Sequence, residues 1–325
     1  MKNQFVASHH AAGNKKRFLG QETRAKIRHL PAILKATYKS WMEQDPFRQS
    51  AVIAYYAIFS LPALLVIVIA VASFIFEKDV VTGRLSSEIS KLMGTSTAKQ
   101  IEDMIANASI GNKSVIATIL AVITILIGAT GVFVQLQKSL NMIWEVKPVA
   151  GKKAFLKLLQ TRLLSFGMIL SIGFLLIISL VVTSVISILG DWLTLQLPQL
   201  AVFIMQAINF IISFGIITIL FAVIYKYLPD AKIRWKDVWS GAIMTSVLFS
   251  IGKLALGLYF AKADPTSAYG AAGSIVLIML WISYSGMIFF FGAEFTRQYT
   301  SWGGKEITPA ESAEKDPLAR VKINK

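Results

Sequence analysis

The side chains able to do chemistry in this chain are few and lie in apolar surroundings. Lys253 interrupts an apolar run from Gly241 to Phe260, and Glu294 and Arg297 close a second run that begins at Ala271. A charge at the centre of a membrane helix disfavours insertion by roughly 2.5–3.5 kcal/mol, so an ammonium kept there is a candidate anion-binding group. The plainer alternative is a lysine that snorkels to the headgroups or reaches Asp264. Lys253 falls about 18 Å along its helix from Gly241, at 1.5 Å per residue, whereas Glu294 is near the inner end of the next helix. That difference in depth excludes a direct pair between straight helices. Arg48 and Arg297 are the cations at the right depth for Glu294, and Arg297 is three residues away on the same helical face. Such a pair is either an inner gate or a salt bridge that fixes helix ends, and the salt bridge is the simpler reading.

Five further polar residues complete the candidate substrate-binding set with Lys253 and Arg48. Tyr55 and Tyr56 lie about two turns into the first apolar run, as an interfacial aromatic belt or as ligands. Gln135 and Asn141 end the second run, as interfacial anchors or as the lining of an inner vestibule. Tyr269 belongs to an Ala- and Gly-rich stretch, 267–274, which suits close helix packing or offers a hydroxyl at an outer mouth.

Catalysis finds no support in the same inventory. There is no cysteine, and the only histidines are His9, His10 and His29 in the N-terminal segment. No carboxylate cluster has metal-ligand spacing, and no phosphate-binding or dinucleotide-binding glycine loop occurs. The residues predict a protein that is not an enzyme and has neither cofactor nor metal.

The elements that position these groups are membrane spans. A hydrophobic fraction of 55% and a mean hydropathy of +0.60 over 325 residues are too apolar for a soluble domain of this size. Runs nearly free of charge occupy 51–76, 114–136, 163–189, 200–225, 241–260 and 271–295. Each is as long as the roughly 20 residues that cross about 30 Å of hydrocarbon. They are too long and too unalternating for barrel strands, so the expected fold is all-α with six transmembrane helices.

Charge orients them. Of the 33 basic residues, ten, six, four and six fall in positions 1–50, 137–162, 226–240 and 296–325, against six on the opposite side and Lys253 within a span. The net charge of +15 therefore reads as positive-inside sorting rather than nucleic-acid binding, with both termini cytoplasmic. Residues 1–45 are expected to form a basic tail and an amphipathic surface helix, 46–299 the transmembrane domain and 300–325 a second cytoplasmic tail. Within 77–113, apolar spacing predicts two short amphipathic helices broken around Gly94 and Thr95, resting on the outer headgroups or capping a cavity mouth. Asp45 and Pro46 suit the N-cap and first position of the first span.

Several segments, in order and at matching spacing, resemble the YihY/BrkB family of bacterial inner-membrane proteins. They are Asp45-Pro-Phe-Arg-Gln through Ala54-Tyr-Tyr-Ala-Ile-Phe-Ser-Leu-Pro62, Tyr225-Lys-Tyr-Leu-Pro229, Ile251-Gly-Lys to Leu258-Tyr, Ser267-Ala-Tyr-Gly-Ala-Ala-Gly273, and Gly292-Ala-Glu-Phe-Thr-Arg297. The resemblance implies a six-helix protein of the bacterial cytoplasmic membrane, in a family linked to serum resistance, envelope-lipid export and ion efflux. It supplies no agreed catalytic set, and the ribonuclease label carried by some members conflicts with the missing histidines and carboxylate clusters.

The leading expectation is a transporter or flippase of a lipid or anionic amphiphile, with membrane lipids as its partners and Lys253 on the headgroup. The alternatives are a cation/proton antiporter working through Glu294, the only span-associated carboxylate, and a nontransporting scaffold that recruits envelope-assembly proteins.

Overall fold

The computed structural model describes residues 29–73, 77–93, 95–108, 131–149, 198–263 and 272–316. Its long helices are α2 (Pro46–Ala72), α6 (Pro198–Tyr227), α7 (Trp235–Ala263) and α8 (Gly273–Trp302). Shorter ones are α1 (Leu30–Glu43), α3 (Lys78–Met93), α4 (Thr95–Ala108) and α5 (131–143). Within the described residues, the stretches Ile204–Tyr227, Trp235–Tyr259 and Gly273–Trp302 are long and apolar enough to cross a membrane. They match the fourth to sixth expected spans, and α2 occupies the first. Residues 114–130 of the second span and all of the third lie outside the described residues.

The helix α8 is central, packing on α1, α2 and α7, while α6 packs on α7 and reaches α8 through Phe221 and Tyr225. We call the end where α8 finishes at Trp302 basal and the end where it begins at Gly273 distal. At the basal end α1 turns Ile33, Thr37 and Ser40, spaced about one helical turn apart, into buried contact. Its N-terminus is fixed by Pro31 and by the His29 ring, 5.7 Å from that of Trp302. Asp45 then turns the chain with a positive φ of 50°, and its Oδ1 accepts the Arg48 backbone N–H at 3.4 Å, as an N-cap should.

Apolar burial divides into two clusters. The basal cluster joins Leu140, Ile143 and Trp144 at the end of α5 with Tyr225 and Leu228, Val238 and Ala242, and Phe289, Phe290 and Ala293. The distal cluster joins Leu65 and Ile69 of α2 and Ile278 of α8 with Val81, Ile101 and Ile105. The last three belong to α3 and α4, so these two short amphipathic helices, one ending at Met93 and the other beginning at Thr95, cover the distal ends of α2 and α8.

The all-α expectation needs one amendment. Four short strands occur among the described residues: β1 (Val146–Pro148), β2 (Ala231–Lys232), β3 (Thr308–Pro309) and β4 (Ala313–Lys315). They form two antiparallel pairs, β1 with β4 and β2 with β3. After α8, Gly304 takes a φ of +66° and redirects the chain across the basal end. Ala310 N–H then reaches Asp230 O at 2.9 Å, and Asp316 N–H reaches Glu145 O at 2.7 Å. Residues 305–316, within the stretch expected to be a cytoplasmic tail, thus form a strap across the basal end. Strands of two or three residues carry no alternation to read, and their partners are far away in sequence.

Candidate functional site

The most polar part of the interior is a bracket at the basal end. Its centre is Glu294, with 0% of its surface exposed. Arg297, one helical turn on, donates to it from Nε at 3.1 and 3.2 Å and from Nη2 at 2.6 Å. Gln298 donates from the same helix at 2.8 Å, and Gln44, at the corner between α1 and α2, donates at 3.0 Å. The Arg297 guanidinium also faces Ser40 Oγ at 3.3 Å and Glu145 Oε1 at 3.4 Å. One carboxylate and one fork-shaped cation therefore join α1, α2, α8 and the end of α5. Glu145 adopts a φ of +55°, unusual for a residue with a side chain, at the turn that brings its carboxylate to Arg297.

Between α7 and α8 the backbones approach through a reciprocal arrangement. A Cβ at Gly241 would overlap the Thr296 hydroxyl, and a Cβ at Gly292 would overlap that of Thr245. Each threonine turns its hydroxyl back to the glycine carbonyl four residues earlier, Thr245 to Gly241 at 2.7 Å and Thr296 to Gly292 at 2.9 Å. The two threonine hydroxyls are thereby satisfied within their own helices while the glycines admit close packing. Tyr225 of α6 closes this layer, its hydroxyl 2.6 Å from Phe289 O and 2.9 Å from Thr245 Oγ1.

Further along the seam, Gly252 meets the tip of Tyr284. Lys253 is thus level with the middle of α8, ten residues or about 15 Å from Glu294 along the helix. The separation deduced from depth is present in the fold. Lys253 is exposed, and so are Ile251, Leu254 and Leu258 around it, the last two at 70% and 64%. It has no ion-pair partner among the described residues; Asp264 lies outside them.

The other sequence candidates are not gathered around Lys253. Arg48 pairs with Asp45 at 3.0 Å on the surface, which leaves Glu294 to Arg297. Tyr55 and Tyr56 are exposed on α2, with Tyr55 stacked edge-on against Phe59 at 5.1 Å, and Tyr56 covers Gly131. Gln135 is half-buried. Asn141 is buried and clamped to Asp230, donating to its carboxylate and accepting its backbone N–H, both at 2.8 Å. Tyr269 lies outside the described residues.

Sequence reasoning passed over Gln44, Tyr225, Thr245, Asp230 and Glu145 as members of these networks. Spacing alone could have found Gln298, which shares with Arg297 the helical face of Glu294. Gln44 and Glu145 look like ordinary helix-end residues until the fold brings them to Arg297. Among the described residues no group of three or more His, Asp or Glu is placed to hold a metal ion.

Comparison with known proteins agrees with the motifs. A UPF0761 membrane protein of Verminephrobacter eiseniae is 27% identical over 175 residues, 53% of this chain and 39% of that protein. One from Tolumonas auensis is 27% identical over 169 residues, 51% of this chain and 52% of the relative. One from Mannheimia succiniciproducens is 25% identical over 270 residues, 81% of this chain and 88% of the relative. The chain thus spans about half or less of the length of the first two. No solved structure matches. The family model described as "Virulence factor BrkB" matches residues 37–316, from the middle of α1 to the end of the strap, and the chain therefore belongs to the BrkB family of membrane proteins.

Proposed function

We propose that this protein moves a lipid or another anionic amphiphile across the bacterial cytoplasmic membrane, guiding the headgroup along α7 while the acyl chains stay in the bilayer. The observation that carries this reading is the setting of Lys253. An ammonium level with the middle of α8 is exposed among exposed leucines and isoleucine, without an ion-pair partner among the described residues. A desolvated cation on an apolar face is costly unless an anion visits it, and a headgroup travelling between leaflets is an anion at that depth. The basal end, which carries the bracket, the strap and the exposed Trp235 and Trp239, faces the cytoplasm in this reading. No step of it requires catalysis.

Antiport through Glu294 draws less support. That carboxylate is saturated by Arg297, Gln44 and Gln298 and has no exposed surface to offer a moving ion. The test is reconstitution with fluorescent phospholipids, following the accessibility of the label to a membrane-impermeant quencher. Wild-type vesicles should equilibrate the label faster than Lys253→Ala vesicles. Equal rates for wild type, Lys253→Ala and empty vesicles with every lipid tried would refute the proposal.

A further inference from the structure

We infer that Tyr284 is the second donor of the headgroup site, so that Lys253 and Tyr284 together bind a phosphate-bearing lipid headgroup; this rests on the reading of Lys253 given above. The seam brings the Tyr284 tip to the α7 backbone at the residue before Lys253. The tip of Tyr284, on α8, lies directly against the Gly252 backbone, so closely that any side chain at 252 would collide with the phenol oxygen. Lys253 is the next residue on α7, about 100° further round the helix. The ring of Tyr284 is half-buried between the helices, and its hydroxyl has no hydrogen-bond partner among the described residues. One position on, the Ser285 hydroxyl is buried and unpartnered as well. Nearer the basal end the hydroxyls of Thr245, Thr296 and Tyr225 are bonded, while that of Ser246 is buried without a partner among the described residues.

A phenol and an ammonium on neighbouring positions of the seam, neither with a partner among the described residues, form a complementary pair of donors. The lysine supplies a mobile charge on a four-carbon stem, and the phenol supplies a fixed O–H, held by packing against Gly252. A phosphodiester accepts both, one oxygen to each, whereas a zwitterionic headgroup brings a cation of its own toward Lys253. The site is therefore selective for anionic phospholipids, and Gly252 is the residue that makes room for it.

The experiment uses the full chain in nanodiscs of phosphatidylcholine containing phosphatidylglycerol, with retained lipid counted by native mass spectrometry after detergent transfer. Tyr284→Phe keeps the ring against Gly252 and removes only the donor. The loss of one hydrogen bond to a charged oxygen should reduce the retention of phosphatidylglycerol about tenfold and leave that of phosphatidylcholine unchanged. Lys253→Ala should abolish the preference. If Tyr284→Phe retains phosphatidylglycerol like wild type while Lys253→Ala does not, the phenol is excluded and the headgroup reading of Lys253 stands. If neither substitution changes retention, that reading fails too. Inorganic phosphate added to the nanodiscs should not displace the lipid, and displacement would refute a lipid headgroup as the ligand.

Discussion

Replacing Arg297 tests whether the basal bracket is held together by charge compensation. Glu294 is fully buried, and Arg297 approaches it through both Nε and Nη2, the closest contact being 2.6 Å. Arg297→Ala removes that charge and leaves the carboxylate with the amides of Gln44 and Gln298. Breaking a buried pair from one side costs about 3–5 kcal/mol, because the remaining charge is uncompensated. Glu294→Gln is not equivalent. It preserves shape, and the stranded guanidinium is 15% exposed and still has Glu145 at 3.4 Å, so a loss of about 1–3 kcal/mol is expected. Arg297→Ala combined with Glu294→Gln removes both charges and should cost clearly less than the sum of the two single substitutions. Denaturant titration in micelles, followed by tryptophan fluorescence, measures all three variants, and Trp41 and Trp144 lie in the region that opens. The reasoning is refuted if Arg297→Ala costs no more than Glu294→Gln, or if the two effects add within about 0.5 kcal/mol as distant sites do.

The remaining predictions concern the seam and the strap. Gly241→Ala and Gly292→Ala should each destabilise by about 1–3 kcal/mol through overpacking, because the threonine each would strike is too short to swing away. Gly257→Ala, which meets nothing within 4 Å, should instead stabilise the helix by up to about 1 kcal/mol in the same titration. Tyr225→Phe removes the hydroxyl's bonds to Thr245 and to the Phe289 carbonyl, which keeps its own helical partner, and should cost about 0.5–1.5 kcal/mol. Ending the chain before Thr308 should speed proteolytic cleavage at 145–149 and 228–234. Reversing Glu311 or Glu314 alone should not, since exposed pairs such as Lys232–Glu311 and Lys147–Glu314 contribute about 0–1 kcal/mol. The hydrogen bond from Lys315, and then its charge, hold the Glu306 carboxyl below its usual range. A lowered carboxylate favours the fold above its ordinary pKa of about 4.3 and loses that contribution only as pH falls through the lowered value. Amide exchange of 305–316 should thus be flat from pH 7 to about pH 5, after correction for intrinsic rates, and rise only in stronger acid.

What the sequence made legible was set by the length of each signal. The apolar runs of α2, α6, α7 and α8 are long, and Asp45-Pro46 marks its helix start by local chemistry alone. The break between α3 and α4 was equally plain, because Gly94 and Thr95 interrupt a clear apolar spacing. Depth, counted in residues, separated Lys253 from Glu294 correctly. Choosing between Arg48 and Arg297 was beyond a count, since both have the right depth and only the fold shows Arg48 turned to Asp45. The reciprocal glycine–threonine contacts were hidden for a similar reason. Gly241-x3-Thr245 and Gly292-x3-Thr296 are each unremarkable, and their meaning lies in the register that sets one against the other. The strands β1 to β4 were invisible because their bonds are made wholly by the backbone to segments remote in the chain.

The strap also carries a consequence for how the protein is made. Membrane helices enter the bilayer in the order of their synthesis, and the segments that become β1 and β2 leave the ribosome early. Their partners, Ala313–Lys315 and Thr308–Pro309, emerge only after α8 is complete. Until then the edges of β1 and β2 wait with unpaired backbone groups, and Asp230 O and Glu145 O wait for Ala310 and Asp316. The basal face is thus fastened last, and a chain that stops before Thr308 has made the helices α1 to α8 but not the closure that joins β1 and β2 to the segment after α8.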